Sequence, residues 1–365
     1  MSDDQRPTPV LDNPEETRQK LEHWLASQLN SKVRIPALNV PEGTGMSNIT
    51  MVFDAVHDNA QTSTTTSYVA RIEPRGDYLV FPEYDLDIQC RVIEMLSQHS
   101  DIPMPEIVAK ELSGQVLGKP FYIMTKTEGH IPPDMPPYHM DGWLTEQTPD
   151  TRRQLWQAGL SRLAQVSKLD IHAPAIKAVL TSLDIPKNLD EQLTYWENYY
   201  RWGYQRGGEF LPHDSAERAL KWLRVHQPEE QAIALCWGDS RMANVIFTPD
   251  KSDVAALLDW EMVALGDPLQ DLAWWIYMDE LFCHGLDFPP LEGFPSRWES
   301  AQQWAQQSGY SIDQLHYYLV FAGLRFALLL GRMSVGQNNE DSINSHFSSC
   351  FEVKYLEKIL SETPA

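Results

Sequence analysis

Three polar side chains in the middle of the chain, Asp239, Asn244 and Asp259, have the types and spacing needed for chemistry. Each borders a short apolar run, which predicts that they lie at the ends of buried strands. One carboxylate placed there can accept a hydroxyl proton, while an amide oxygen and a second carboxylate can hold Mg²⁺, which prefers hard oxygen ligands. The pattern therefore indicates phosphoryl transfer.

The spacing from Asp239 to Asn244 is not specific by itself. In a chain of this length, an Asn at that distance after an Asp is expected about once by chance. Asp54 and Asn59 repeat the spacing, but they lie in a polar stretch that predicts a hairpin loop. The later pair differs because apolar runs flank it and because Asp259 follows within Leu-Asp-Trp, where a kinase has its metal-binding Asp.

Two motifs carry a resemblance to a known family. Residues 237–244 read W-G-D-S-R-M-A-N, and residues 258–261 read L-D-W-E. They resemble the H-G-D-x-x-x-x-N and I-D-[WF]-[DE] motifs of the aminoglycoside phosphotransferase and choline kinase-like family, relatives of protein kinases. The likeness extends from about residue 43 to residue 273 and includes G-D-P-L-Q-D-L-A at 266–273. It is strongest to a bacterial group near the kinase-like domains fused to acyl-CoA dehydrogenases, some of which phosphorylate 4-hydroxy acyl compounds.

The resemblance implies an α+β, bilobal, protein-kinase-like fold. Residues 1–128 would form an N-terminal nucleotide-binding lobe, with a leading helix at 15–29, a five-stranded antiparallel sheet and a hinge at 124–129. Residues 129–365 would form a larger, mainly helical C-terminal lobe that carries the catalytic loop and the acceptor pocket. A chain of 365 residues is long enough for two such lobes.

The resemblance also assigns roles in the C-terminal lobe. Asp239 would be the catalytic base, and Asn244 and Asp259 would bind Mg²⁺. Asp271 would brace the catalytic loop rather than take part in the chemistry. The implied reaction is transfer of the γ-phosphoryl group of ATP or GTP to a hydroxyl group of a small molecule, which makes the chain a kinase.

In the N-terminal lobe, the stretch G-T-G-M-S-N at 43–48 matches the family's nucleotide loop. Small residues in a turn let backbone N–H groups approach phosphates closely, although two glycines in a turn are usually only a turn. Arg71 stands where related kinases carry a phosphate-binding Lys, and an Arg keeps that charge. By resemblance, the residues that contact the nucleotide are Gly45, Ser47, Asn48, Arg71, and the hinge residues Met124 and Lys126.

Two further positions depart from the family pattern. Gln89 falls where kinases have the Glu that pairs with the Lys, and it can hydrogen-bond Arg71 but cannot form an ion pair; Glu94 or Asp87 are candidate substitutes. Trp237 replaces the usual His before Gly-Asp, and an indole can donate a hydrogen bond but cannot accept one. These departures keep open an alternative function, a nucleotide-binding pseudokinase that acts as a regulatory or binding module.

The acceptor is not fixed by the sequence. The 51 acidic against 29 basic residues, a net charge of −22, would suit a cationic acceptor but are more typical of a solvated acidic surface. The helix that follows Asp267 is rich in Trp and Tyr and, by resemblance, lines the acceptor pocket, which favours a hydroxyacyl compound or another apolar alcohol. The aromatic run at 195–204 is interpreted mainly as packing between helices.

Composition excludes several other classes of protein. The acidic charge argues against binding to nucleic acid or to an anionic membrane. The four cysteines are far apart and form no C-x-x-C pair, so the sequence predicts neither a zinc site nor a disulfide framework. The N-terminus lacks the features of a signal peptide. We expect a cytoplasmic protein, of an oligomeric state that the sequence does not reveal.

Periodicity predicts the elements that must position these residues. In the helix that follows the last motif, Asp267 is predicted to be the N-cap, with Pro268 in the first turn and Gln270 three residues after the cap. The stretch 315–331 is apolar but is interrupted by His316 and Arg325, which predicts a buried helix. Strands are predicted at 33–40, 49–56, 67–72, 105–112 and 121–126, and helices at 15–29, 85–99, 150–169, 189–206 and 214–226.

Overall fold

The computed structural model describes residues 13–40, 48–58, 63–74, 79–207, 213–229, 232–335 and 351–362. The chain forms two compact units. Residues 1–98 and 105–127 belong to the N-terminal unit, and residues 99–104 and 128–365 to the C-terminal unit. Within the described ranges, no helix combines the length and the apolar character needed to cross a membrane.

The N-terminal unit is built on a five-stranded sheet in which all neighbouring strands are antiparallel, as predicted. The strand order is β1-β2-β3-β5-β4. Its elements are α1 (Pro14–Gln28), β1 (Lys32–Arg34), β2 (Ile49–Asp58), β3 (Ser63–Ile72), α2 (Leu86–His99), β4 (Ile107–Glu111) and β5 (Phe121–Thr125).

Alternation along the strands gives the sheet two apolar faces. On β5, Phe121 and Ile123 pack in a cluster with Leu21 of α1, while Tyr122 packs with Leu86 of α2 on the other side. Helix α1 begins cleanly because the Asn13 side chain accepts the backbone N–H of Glu16. The sheet is thus covered by one helix on each face.

Some strand limits differ from the predicted ones. Strand β1 is only three residues long, and the chain rejoins the sheet through a single bridge between Asn39 and Val52. Of the two expectations for Asp54, the strand at 49–56 is the one observed and the hairpin loop was wrong, because Asp54 lies inside β2 and accepts a hydrogen bond from Ser67 of β3 at 2.6 Å. Threonines at 64–66 extend β3, since β-branched residues suit a strand whether or not they are apolar. Asn59 and the loop 43–47 lie outside the described residues.

The C-terminal unit is mainly helical, with two short antiparallel strand pairs, β6 with β9 and β7 with β8. Its helices are α3 (Pro149–Ser167), α4 (Pro174–Ser182), α5 (Leu189–Gly207), α6 (His213–Val225), α7 (Leu269–Cys283), α8 (Arg297–Ser308), α9 (Leu315–Val335) and α10 (Phe351–Ser361). Its strands are β6 (Ala234–Cys236), β7 (Val245–Phe247), β8 (Val254–Leu257) and β9 (Ala264–Gly266).

Helices α7 and α9 form the centre of this unit. Helix α7 is buried on nearly all sides, and α9 is the buried helix that the apolar stretch predicted. The aromatic run on α5 is largely packing, as interpreted, because Trp196 and Tyr199 are buried, although Tyr195 and Tyr204 are exposed. A helix apolar all round must be enclosed by others, which fixes α7 in place.

The start of α7 differs from the predicted capping pattern. The helix begins at Leu269, with Pro268 as its cap residue, and Asp267 accepts the backbone N–H of Leu269 at 2.9 Å. Asp267 thus accepts an N–H that a cap at this position accepts, but the helix itself starts one residue later than predicted. The Gln270 amide donates to Cys236 Sγ at 2.9 Å, which ties α7 to β6 instead of closing a capping box.

We expect Gly159→Ala in α3 to destabilise the protein by about 1–3 kcal/mol, because overpacking a core has this cost. A Cβ at Gly159 would lie 2.5 Å from Cη2 of Trp275 on α7. Intrinsic helix propensity alone predicts the opposite sign, a gain of about 1 kcal/mol. Urea unfolding measures the difference, and the exposed Gln154→Ala on the same helix is the control, expected within about 0.5 kcal/mol of wild type.

Candidate active site

A polar loop between β6 and β7 carries Asp239 and Asn244. The chain turns sharply at Gly238, which has φ +92°, a conformation that L residues rarely adopt. A Cβ there would lie 2.1 Å from the backbone oxygen of Met262. Only glycine fits, and the turn directs the loop away from β6. A 3₁₀ turn at Met242–Asn244 then leads into β7.

The Asp239 carboxylate is held by three side chains. Its Oδ1 accepts the indole N–H of Trp274 at 2.9 Å, and its Oδ2 accepts the amide of Asn244 at 2.7 Å. Arg241 Nε lies 2.9 Å from Oδ1 and 3.1 Å from Oδ2. Asp239 is only 7% exposed. The carboxylate therefore has a fixed orientation, which a general base needs.

Asn244 is oriented by Asp239. Its Nδ2 donates both to the backbone oxygen of Asp239 at 2.9 Å and to Oδ2 of the same residue at 2.7 Å. Because both bonds use the amide nitrogen, they assign the amide oxygen to the opposite side. That oxygen is the donor atom that a hard cation takes, so the residue present fits an Mg²⁺ ligand.

Asp259 is brought beside Asn244 by the pairing of β7 with β8. The backbone N–H of Leu258 donates to the backbone oxygen of Asn244 at 2.9 Å. This bond continues the ladder past the last strand pair, Val245 with Leu257. Asp259 itself has φ +61° and so turns the chain out of the strand. The structure thus brings Asn244 and the backbone of Asp259 to one end of the β7–β8 pair, and Asn244 contacts Asp239.

Trp237 shows how the loop is held without the usual His. Its indole N–H donates to the backbone oxygens of Leu258 at 2.8 Å and of Asp259 at 3.2 Å. Its ring stacks on Trp260, with the centroids 5.7 Å apart. The indole N–H is a hydrogen-bond donor, as a His ring N–H is, and it makes these contacts. Trp237 therefore links the loop of Asp239 to the turn at Asp259.

Asp271 on α7 binds the start of the loop through its carboxylate. Its Oδ2 accepts the backbone N–H of Trp237 at 2.6 Å, and its Oδ1 accepts that of Gly238 at 2.9 Å. Its backbone oxygen accepts Ser240 Oγ at 2.8 Å. Burial raises the pKa of the Asp271 carboxyl to about 6, although the two backbone N–H groups act to lower it.

Arg241 and Asp134 form a pair that sequence reasoning missed. The Arg241 guanidinium contacts Asp134 on one side and Asp239 on the other. Arg241 stands at a variable position of the motif, two residues after Asp239. Asp134 lies in the Pro-rich stretch P-P-D-M-P-P at 132–137, which has no recognisable functional motif. No local pattern signals a contact across such a sequence distance.

A second buried polar cluster joins the segment before α3 to α7. Asp279 Oδ1 accepts Tyr138 OH at 2.6 Å, and His139 Nε2 lies 2.9 Å from the same oxygen. The ligand atoms of His139, Asp279 and Cys283 lie within 4.8 Å of one another. However, His139 Nδ1 accepts the N–H of Leu291, which places the ring proton on Nε2, and burial raises the pKa of the Cys283 thiol to about 12. The cluster is therefore a hydrogen-bonded anchor, not a ligand set.

The N-terminal unit contains the remaining sequence-predicted residues. Arg71 lies on β3 and donates to Thr50 Oγ1 at 3.2 Å, and the buried Gln89 accepts Tyr122 OH at 3.3 Å. The backbone N–H of Lys126 donates to the backbone oxygen of Ser67 at 3.0 Å.

Other predicted positions in this unit are described only in part. Asn48 and Met124 are buried, while Gly45 and Ser47 lie outside the described residues. Glu94 pairs with Lys110 at 2.9 Å, and Asp87 lies 3.8 Å from Arg91.

Comparison with known families identifies a match over most of the chain. A family model described as the phosphotransferase enzyme family matches residues 54–310. Acyl-CoA dehydrogenase family member 10 of Mus musculus is 28% identical over 274 residues, which are 72% of this chain and 24% of that protein. Acyl-CoA dehydrogenase family member 11 of Gallus gallus is 29% identical over 210 residues, 57% of this chain and 25% of that protein. The chain thus spans about a quarter of the length of these curated relatives.

Solved structures share the fold at low sequence identity. A Ralstonia eutropha protein provisionally assigned as an aminoglycoside phosphotransferase has a TM-score of 0.63 at 21% identity, covering 93% of this chain and 98% of its own. The ethanolamine kinase of Plasmodium vivax has a TM-score of 0.61 at 11% identity, covering 97% and 90%. A variant aminoglycoside 2'-phosphotransferase in complex with GDP has a TM-score of 0.59 at 14% identity, covering 96% and 98%. The predicted kinase-like fold class is confirmed.

We expect Asp271→Asn to destabilise the protein by about 1–3 kcal/mol near neutral pH, because an amide nitrogen cannot accept and one backbone N–H loses its partner. A folded-state pKa of about 6 lies above the ordinary 3.8, so the wild type gains stability from this group at low pH and loses it as the pH rises through about 6. The variant lacks this titration. The difference between the two free energies of unfolding should therefore shrink from about pH 5 to about pH 7.

Urea unfolding of both proteins at several pH values tests this expectation. The control is Asp313→Asn, which changes an exposed acid in the same unit. A difference between wild type and Asp271→Asn that does not depend on pH would contradict the raised pKa.

Proposed function

We propose, since the chain belongs to the phosphotransferase enzyme family, that it transfers the γ-phosphoryl group of a nucleoside triphosphate to a hydroxyl group of a small molecule. The family membership agrees with the motifs on which the resemblance was based. The observation that carries the proposal is the network of Asp239, Asn244 and the turn at Asp259. Together they supply one oriented carboxylate and two oxygen donors for a cation.

In this mechanism Asp239 is the base that accepts the hydroxyl proton of the acceptor. Trp274, Arg241 and Asn244 fix its two oxygens, so the carboxylate needs no reorientation when the acceptor arrives. General base catalysis typically contributes about 10²- to 10⁴-fold to the rate. Positioning of the reacting groups and neutralisation of charge supply the larger part of phosphoryl transfer.

Asn244 and Asp259 would hold Mg²⁺ through an amide oxygen and a carboxylate oxygen. When bound, the ion neutralises the charge of the nucleotide phosphates and orients the transferred group. The two residues are well placed to cooperate, because the backbone of the strand pair links their positions.

The N-terminal unit would bind the nucleotide. By family resemblance Arg71 takes the place of the phosphate-binding Lys, and its planar guanidinium can engage phosphate oxygens in pairs. Gly45, Ser47 and Asn48 would contact phosphates, and Met124 and Lys126 would meet the base. The N–H of Lys126 is already bonded to Ser67, so a base contact at the hinge has to use other main-chain groups. A guanine nucleotide is a candidate donor beside ATP, since one protein of similar fold was solved with GDP.

The contacts around Asp239 favour an acceptor that is not a polycation. Asp134, the acid that shares Arg241 with the base, is already engaged by that guanidinium. An Arg beside the base would repel a cationic acceptor further.

Aromatic side chains adjoin the same region. Trp274, which holds the base, has a ring contact with Phe326 of α9, and Phe326 in turn contacts Phe282 of α7. We infer a hydroxyacyl compound or another apolar alcohol as acceptor, in agreement with curated relatives that carry acyl-CoA dehydrogenase names.

We expect Asp239→Asn to abolish turnover while leaving nucleotide binding within about threefold of wild type, because an amide cannot take the hydroxyl proton. Isothermal titration with ATP or GTP and Mg²⁺ measures binding, and a coupled assay over a library of hydroxyl compounds measures transfer. Asp313→Asn serves as the matched control and should keep full activity. Equal loss of binding and turnover would contradict the role as base. A wild-type protein that binds nucleotide without turnover would favour the pseudokinase module.

We expect Asp259→Asn to raise the Mg²⁺ concentration for half-maximal turnover by at least about tenfold, because a neutral amide binds Mg²⁺ more weakly than a carboxylate. A magnesium titration of turnover and of nucleotide binding checks this. Asp287→Asn is a close control, since Asp287 is also an Asp with positive φ, at +54°, but is exposed and distant in sequence. An unchanged magnesium dependence in Asp259→Asn would remove Asp259 from the metal site.

A further inference from the structure

Helix α9 carries two buried arginines, Arg325 and Arg332, each 2% exposed. Both lie beyond residue 310, where the match to the family model ends. Burying a guanidinium is costly unless charges and hydrogen bonds compensate for the loss of water. A buried Arg on an otherwise apolar helix therefore calls for a specific reason.

Arg325 contacts both the polar loop and a side chain of α7. Its Nη2 donates to the backbone oxygen of Gly238 at 2.7 Å, one residue before Asp239. Its guanidinium lies 4.4 Å from the ring centroid of Trp274, the residue whose indole N–H donates to Asp239 Oδ1. Such a cation over an indole face is an attractive contact. Arg325 thus touches both the peptide and the side chain that hold the base.

The Gly238 residue is held at both ends by buried ions of opposite sign. Its N–H donates to Asp271 Oδ1 at 2.9 Å, and its oxygen accepts Arg325 Nη2 at 2.7 Å. Burial lowers the pKa of Arg325 to about 10, while the charges of Asp271 and Asp239 oppose that shift. The guanidinium therefore stays charged at neutral pH. Cys236 and Tyr195 are the other titratable groups that face it.

We propose that Arg325 is a positioning residue for phosphoryl transfer, acting on the catalytic base through the Gly238 oxygen and the Trp274 ring. The inference rests on the proposed role of Asp239 and extends it to α9, outside the motifs. With Arg325 removed, the Gly238 oxygen loses its buried donor and the indole loses the group that packs on its face. The Asp239 carboxylate then loses its fixed orientation, and misplacement by about 1 Å costs on the order of 10² in rate.

Arg332 provides a matched control for this inference. It lies on the same helix, is equally buried, and packs its guanidinium 4.9 Å from the ring centroid of Trp202. Arg325→Met and Arg332→Met each delete a buried guanidinium of α9 that packs on an indole. A purely structural role for Arg325 predicts the same effect from both.

The first experiment compares kcat and KM of wild type, Arg325→Met, Arg325→Lys and Arg332→Met. We expect kcat of Arg325→Met to fall about 10²-fold with the nucleotide KM within about threefold of wild type, since only the base is displaced. Added guanidinium should restore part of that kcat, and Arg325→Lys should retain more kcat than Arg325→Met. Arg332→Met should keep kcat within about threefold, with a similar loss of thermal stability. An equal fall of kcat in both Met variants, or an unchanged kcat in Arg325→Met, would overturn the proposal.

A second measurement does not depend on turnover. The indole ¹⁵N–¹H resonance of Trp274, assigned with Trp274→Phe, should shift in Arg325→Met or Arg325→Lys and stay in place in Arg332→Met, because only the former disturb the bond to Asp239. A Trp274 resonance that stays in place in both Arg325 variants would overturn the proposal even for a folded protein without activity. If the wild type itself showed no turnover, that result would count against the proposed function and not against the role of Arg325.

Discussion

The arrangement of the candidate site depends on one buried carboxylate, Asp271. It accepts two successive backbone N–H groups, those of Trp237 and Gly238, just before the chain reaches Asp239. Burying this charge is unfavourable, as its raised pKa indicates. The cost is offset because the carboxylate satisfies two backbone N–H groups at a turn where only glycine fits. Asp239 is the next residue in the loop, so this contact helps to position it.

Trp237, which replaces the usual His of the family motif, still provides a hydrogen-bond donor at its position. The loop has to be linked to the turn that carries Asp259, and the accepting groups there are backbone oxygens. Any side chain with a correctly placed N–H can make that link, and an indole does so while its ring stacks on Trp260. The His of the family motif is one residue that can make this link, so its replacement by Trp237 is not by itself a loss of function.

What could be predicted from the sequence was local. The five-stranded sheet, the buried helix α9 and the positions of Asp239, Asn244 and Asp259 at strand ends all follow from periodicity over a few residues. The contacts of Arg241 with Asp134 and of Arg325 with Gly238 join residues far apart in the chain, and no spacing rule indicates them. The polar residues that follow Val56 predict a hairpin loop, yet pairing with β3 keeps the sheet regular as far as Asp58, where tertiary context outweighs propensity.

The positions of α1 and α9 bear on how much of the chain makes an autonomous folding unit. The region matched by the family model starts at residue 54, inside β2, and ends at residue 310, before α9. A fragment excised at those limits would lack the helix whose Leu21 and Leu25 fill the N-terminal core. It would also lack the helix that encloses α7, and so expose apolar surface on both units. The folded units are therefore larger than the stretch that the family model matches.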